Sequence, residues 1–168
     1  MTDIPVQLLQ HLGKHGERMK YFLSADLSEL QELQRQQMAQ EVRKISAWTA
    51  SAIAPMPIPF ADIWTITPVQ MLMVRAIGNI YGYKINPQTV KEILAVVGGG
   101  MIGQQVCLAL FKIGMPGAGG FGGAAFVFFW THGMGNAAEL YFRSGGTATA
   151  KELAAARSEG MKQAKNES

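Results

Sequence analysis

Apolar residues recur along most of this chain at spacings of three and four, the period of helices rather than strands. Residues 2–12 fit a short amphipathic helix with Ile4, Val6, Leu8, Leu9 and Leu12 on its apolar side, and Gly13-Lys14-His15-Gly16 breaks it. A long amphipathic helix is predicted over residues 26–54. Leu27, Leu30, Met38, Val42, Ile45 and Ala52 form its apolar stripe, and Gln31, Glu32, Gln36, Gln37 and Arg43 its polar face. Ser24 or Asp26 can cap it, with Ser28 and Glu29 in the first turn. Seven glutamines between Gln7 and Gln40 leave this arm polar but weakly charged. It reads first as an amphipathic bundle helix, with a coiled-coil arm joining protomers as the alternative.

The periodicity stops at Pro55, Pro57 and Pro59. Proline lacks a backbone donor and drives the residue before it out of the helical region, so three alternating prolines up to Asp62 predict a rigid, extended elbow. A new helix starts at Thr67-Pro68-Val69-Gln70, with Thr67 as cap, Pro68 at the first helical position and Gln70 completing a capping box. Val69, Leu72, Met73, Ala76, Ile77 and Ile80 give it a broad apolar side; Gly78 and Gly82 have a close-packing spacing, and Gly82 ends it. Asn86-Pro87 repeats the start chemistry.

From there the pattern becomes apolar all round. Residues 93–113 and 118–142 read as two limbs of a helical hairpin turning at Gly114-Met115-Pro116-Gly117, with Lys112 and Glu139 as the only charges from residue 93 to residue 142. Twenty-one helical residues, 93–113, span about 31 Å, enough to cross a bilayer. Fourteen of the nineteen glycines fall between Gly98 and Gly146. A glycine inside a helix costs about 0.5–1 kcal/mol, so their number implies close backbone approach, through Gly99, Gly103, Gly119, Gly123 and Gly133. Gln104 and Gln105 require polar partners, and His132, Asn136 and Glu139 offer them as one stripe at i, i+4 and i+7. The alanine-rich segment from Thr147 onward is expected to be a solvated, fraying helix.

Composition sharpens this picture. A charged fraction of 16% is low for a soluble domain, where roughly 25% is usual. A mean hydropathy of +0.09 is too low for a polytopic transporter. The net charge of +3 is scattered, which favours weak attraction to anionic lipid over nucleic-acid binding. Arg75, Lys84 and Lys91 before the hairpin, and Arg143, Lys151 and Arg157 after it, place both ends on the cytoplasmic side. Met1-Thr2-Asp3-Ile4 carries no basic stretch leading into an apolar core, so a cytoplasmic start is expected.

Candidate chemistry is sparse. Cys107 is the single cysteine, set between Val106 and Leu108, and reads as a small buried hydrophobe. His11 and His15 have a metal-compatible i, i+4 spacing but no third ligand nearby, so no metal site is expected. Gly117-Ala118-Gly119-Gly120-Phe121-Gly122 matches a dinucleotide pattern without the preceding strand that would give it meaning, and no phosphate-binding P-loop occurs. No catalytic set and no cofactor site is evident. His132 and Glu139 could relay protons in a membrane, or sit at a helix end against water or a neighbour.

The run from Ser51 through Pro55, Pro57 and Pro59 to Asp62, then Gln70-Met71, Ile80-Tyr81-Gly82 and Val96-Val97-Gly98-Gly99-Gly100, resembles a YcjF-like bacterial domain family of unknown function. The resemblance spans residues 47–143. It implies an α-helical, membrane-associated protein of inner-membrane type, without catalytic residues to carry over. Relatives of this kind are often fused behind Era-like GTPase domains; this chain lacks one, which implies at most a GTPase partner in trans.

The resulting expectation is an all-α chain with an amphipathic arm (1–46), a glycine-rich helical domain (47–146, hairpin 93–142) and a polar helical tail (147–168). Its expected role is non-enzymatic: a homo-oligomer on the lipid bilayer of the cytoplasmic membrane that scaffolds or remodels it through a glycine zipper. The alternatives are a cytoplasmic, soluble oligomeric adaptor for a GTPase or other partner and, more weakly, a small pore or proton-conducting assembly built on Gln104, His132 and Glu139.

Overall fold

The computed structural model describes residues 15–53, 67–99 and 121–167. Within them the chain is all-α: α1 (Gly16–Ser24), α2 (Glu32–Ile53), α3 (Thr67–Ile80), α4 (Pro87–Val97), α5 (Phe121–Arg143) and α6 (Ala150–Glu167). α5 is the central helix and packs against α2, α3, α4 and α6, while α1 lies mainly on α3. The core gathers Val42 and Ile45 from α2, Met73, Ile77 and Ile80 from α3, Val90 and Val97 from α4, Met134 and Phe142 from α5, and Leu153 from α6.

The turn chemistry behaves as the residue types dictate. Asn86 Oδ1 accepts from the Thr89 amide at 2.9 Å and Pro87 opens α4. α3 ends in a Schellman arrangement: the amide of Tyr83 reaches the carbonyl of Gly78, that of Gly82 reaches Asn79, and Gly82 takes a φ of 84° that only glycine adopts cheaply.

Four sequence expectations change. α1 was not foreseen, because its flanking glycines mark breaks and its nine residues are few; burial of Met19 and Phe22 supplies what propensity does not. The long helix starts at Glu32 rather than near residue 26. Ser24 closes α1, and the Asp26 carboxylate accepts from the amide and hydroxyl of Ser28 in a local turn that competes with helix. Gln70 is buried and its Nε2 donates to Thr131 Oγ1 at 3.3 Å, so its side chain bridges α3 to α5 instead of closing a capping box.

The fourth change concerns the hairpin. α4 stops at Val97, and Gly99 stands beyond its end with a φ of 89°, so no single helix runs from residue 93 to residue 113. Among the described residues no helix is long and apolar enough to cross a membrane. The partner of α5 is α6, the segment read as a solvated tail: Leu153, Gly160 and Ala164 are buried against it. A reciprocal capping box explains its sharp start. The Thr149 amide donates to Glu152 Oε2 at 2.8 Å, and the Glu152 amide to Thr149 Oγ1 at 3.3 Å.

Candidate functional site

The polar groups of the core converge on the inner faces of α5, and missing side chains make the convergence possible. A Cβ added at Gly133 would lie 2.6 Å from the Arg157 carbonyl oxygen, and one at Gly160 would lie 3.0 Å from the Gly133 Cα. Here α5 and α6 cross backbone to backbone. At that crossing His132 Nδ1 lies 3.1 Å from the Gly160 carbonyl, which can only accept, so this nitrogen carries the hydrogen. Asn136 Nδ2 donates to the Ala156 carbonyl at 2.7 Å. Of the three residues foreseen as one stripe, His132 and Asn136 meet backbone carbonyls of α6, while Glu139 turns to the other side, toward α2 and α3.

Gly135 opens the other side. A Cβ there would lie 2.5 Å from Arg43 Cγ and 3.0 Å from Met73 Sδ. The space admits the stem of Arg43, whose Nη1 bonds Glu139 Oε2; the side chains of the pair are only 7% and 9% exposed. Tyr81 OH donates to the other carboxylate oxygen, Oε1, at 3.1 Å. Burial pushes the Tyr81 hydroxyl above its ordinary range, with the charge of Glu32 adding to it, so it stays protonated as a donor. Arg43 was assigned to a solvated face. Sequence periodicity missed it because an arginine on a helix of glutamines is normally solvated; an acid on an apolar helix needing a counter-charge was the available signal.

A second arginine fixes the end of α4. Arg157 Nη1 donates to the Val97 carbonyl at 2.7 Å, its guanidinium lies 5.2 Å from the Trp130 ring centre, and a Cβ at Gly99 would meet it at 3.1 Å. Desolvation lowers the Arg157 pKa from its usual value.

The remaining sequence candidates fall in different places. Gly78 lets α3 approach Phe142 of α5, with Ile85 alongside, away from the α6 crossing, and Gly82 ends α3. Gly99 was expected inside a packed helix and instead forms a left-handed turn. Gly123 lies in the first turn of α5. Gly103, Gly119, Gln104, Gln105, Cys107, His11, the amphipathic segment 2–12 and the elbow of Pro55, Pro57, Pro59 and Asp62 lie outside the described residues. Among the described residues no three His, Cys, Asp or Glu side chains converge as metal ligands would.

The family described as a domain of unknown function, DUF697, matches residues 25–166. The chain belongs to this family. The match takes in α2 through α6, beyond the stretch of 47–143 on which the likeness is visible by eye, and thus includes both Arg43 and the α6 crossing. No curated protein and no solved structure matches the chain.

The seam holds helices together. An ion pair this deeply covered, with its carboxylate sharing a tyrosine hydroxyl, fixes the register of α2 and α3 on α5. His132 and Glu139, on which the pore reading drew, are both engaged inside this body.

Proposed function

We propose that this DUF697 protein is a non-enzymatic, membrane-associated scaffold whose helical body presents one apolar, glycine-rich segment. That segment, residues 100–120, is twenty-one residues long with six glycines and Lys112 as its only charge. One observation carries the reading. The chain leaves α4 at a point clamped by Arg157 on the Val97 carbonyl and returns into α5, the central helix, so the body holds both ends of the segment. An apolar stretch held in this way is suited to a bilayer or to a second copy of itself.

Assembly is narrowed by what the body already uses. Gly133 is covered by α6 and Gly99 by the Arg157 guanidinium, which leaves Gly103, Gly119 and Gly123 to pair copies. Carbonate washing of a membrane fraction tests the membrane reading: the chain is expected in the pellet, and its full release into the supernatant refutes that reading. Gly103→Leu with Gly119→Leu is expected to reduce oligomer size without changing the melting of the body. An unchanged oligomer refutes the zipper.

A second reading, a soluble oligomeric adaptor for a GTPase or other partner, draws on the outer face of α2. Leu33 and Trp48 are 66% and 62% exposed there, and the Trp48 ring is held against Phe128 at 4.8 Å between centres. A monodisperse oligomer in the carbonate supernatant favours this reading.

A further inference from the structure

A cleft of about 420 Å³ opens between the end of α1, the outer side of α3 and the turn leading to α4. Arg75, Lys84, Asn79, Tyr83, Asn86 and Asp26 line it. Arg75 is half-buried, yet among the described residues no carboxylate or carbonyl pairs with it, and Lys84 is likewise without an ion pair. Desolvating an arginine without a counter-charge is costly, so a cation in this state at the wall of a cleft is a place for an anion. The one acid lining the cleft, Asp26, accepts from the amide and hydroxyl of Ser28 through one oxygen, and the Lys84 charge also acts on this carboxyl, so Arg75 is the cation with no acid set against it among the described residues. Asn79 Nδ2 donates to the Phe22 and Ala25 carbonyls, covering acceptors at the end of α1 that would repel an anion. Asn86, the cap of α4, lies at the edge, which adds the positive end of an eleven-residue helix.

We propose that this cleft binds a phosphate-bearing anion, gripped by the Arg75 fork and the Lys84 ammonium. A phosphate group offers several acceptor oxygens to a planar fork and a second cation, whereas a carboxylate is satisfied by the fork alone. Half-buried Leu23 and Ile85 in the same wall suit the carbon portion of a phosphate ester. The site is independent of the membrane reading, because it does not need residues 100–120 to enter a bilayer.

The test uses the full chain at low ionic strength. Glycerol 3-phosphate is titrated by calorimetry, and binding is measured to phosphatidylcholine vesicles with and without phosphatidic acid. The expected result is saturable binding, weakened about tenfold by Arg75→Gln and a few-fold by Lys84→Gln, with Arg75→Lys intermediate and each variant melting like the parent. Lys162→Gln, an exposed change on α6, should have no effect. Saturable binding of the soluble ester alone assigns a free phosphate ester; binding to phosphatidic acid vesicles that the ester displaces assigns a lipid headgroup. Either supports the site. Absence of saturable binding to both probes, displacement by acetate at equal concentration, or equal losses from Arg75→Gln and Lys162→Gln would overturn it, whatever the carbonate wash shows.

Discussion

Glu139→Leu replaces a carboxylate by a side chain of nearly the same volume at the centre of the seam and takes from Arg43 the buried acid it is paired with. With the partners only 7% and 9% exposed, water cannot replace the lost acid without opening the contact between α2 and α5. Breaking a buried pair from one side costs about 3–5 kcal/mol. A domain of this size has about 5–15 kcal/mol in total, so the variant should lose at least about a fifth of its stability. With a urea m-value of about 2 kcal/mol/M, the midpoint should fall by about 1.5–2.5 M. Far-UV circular dichroism across a urea series measures this directly. Arg43→Met combined with Glu139→Leu removes both charges of the pair and should recover most of the loss, giving a coupling energy well above 1 kcal/mol. A loss below about 1 kcal/mol for Glu139→Leu, or a double variant as unstable as the summed singles, would refute the argument that this pair locks the helices.

Three further outcomes follow from the geometry. Gly133→Ala places a methyl 2.6 Å from the Arg157 carbonyl, so α5 and α6 must separate. A thermal melt should show a loss of about 1–3 kcal/mol, whereas a neutral change would mean that the helices do not cross there. Gly82→Ala meets no atom within 4 Å but forces a side chain onto a φ of 84°. Its loss should be about 1–2 kcal/mol from conformation alone, with Gly82→Asn costing less in the same melt. The carboxyl of Glu152 is held below its ordinary value of 4.5 by the amide of Thr149 and then by its hydroxyl. Because the folded pKa is depressed, this cap's contribution is present above 4.5 and fades as pH falls through the lower, folded value. Amide protection in the first turn of α6, taken relative to the intrinsic exchange rate at each pH, should therefore fall on acidification, and Glu152→Gln should remove that dependence.

Local chemistry alone settled part of this fold. Asn86-Pro87 opens α4 because its cap and its proline need no tertiary help, and Gly82 ends α3 because few other residues accept that backbone turn. His132 and Asn136 could be read together because i and i+4 share a helix face whatever surrounds it, whereas Glu139, read into the same stripe, faces Arg43 and Tyr81 instead. Gly133, one of the glycines read as packing positions, does sit where two backbones cross.

What touches what was decided by packing. Gly133 could have met a second hairpin limb or another chain, and it met Gly160 because α6 lays small residues along α5. Arg43 looked solvated in sequence because its neighbours on α2 are polar. Only the gap at Gly135 and the acid at Glu139, ninety-six positions along the chain, make its burial affordable. Helix periods and caps are set within a turn or two of sequence, so the chain writes them plainly; partners of a buried charge are set by distance in space, which no local pattern encodes.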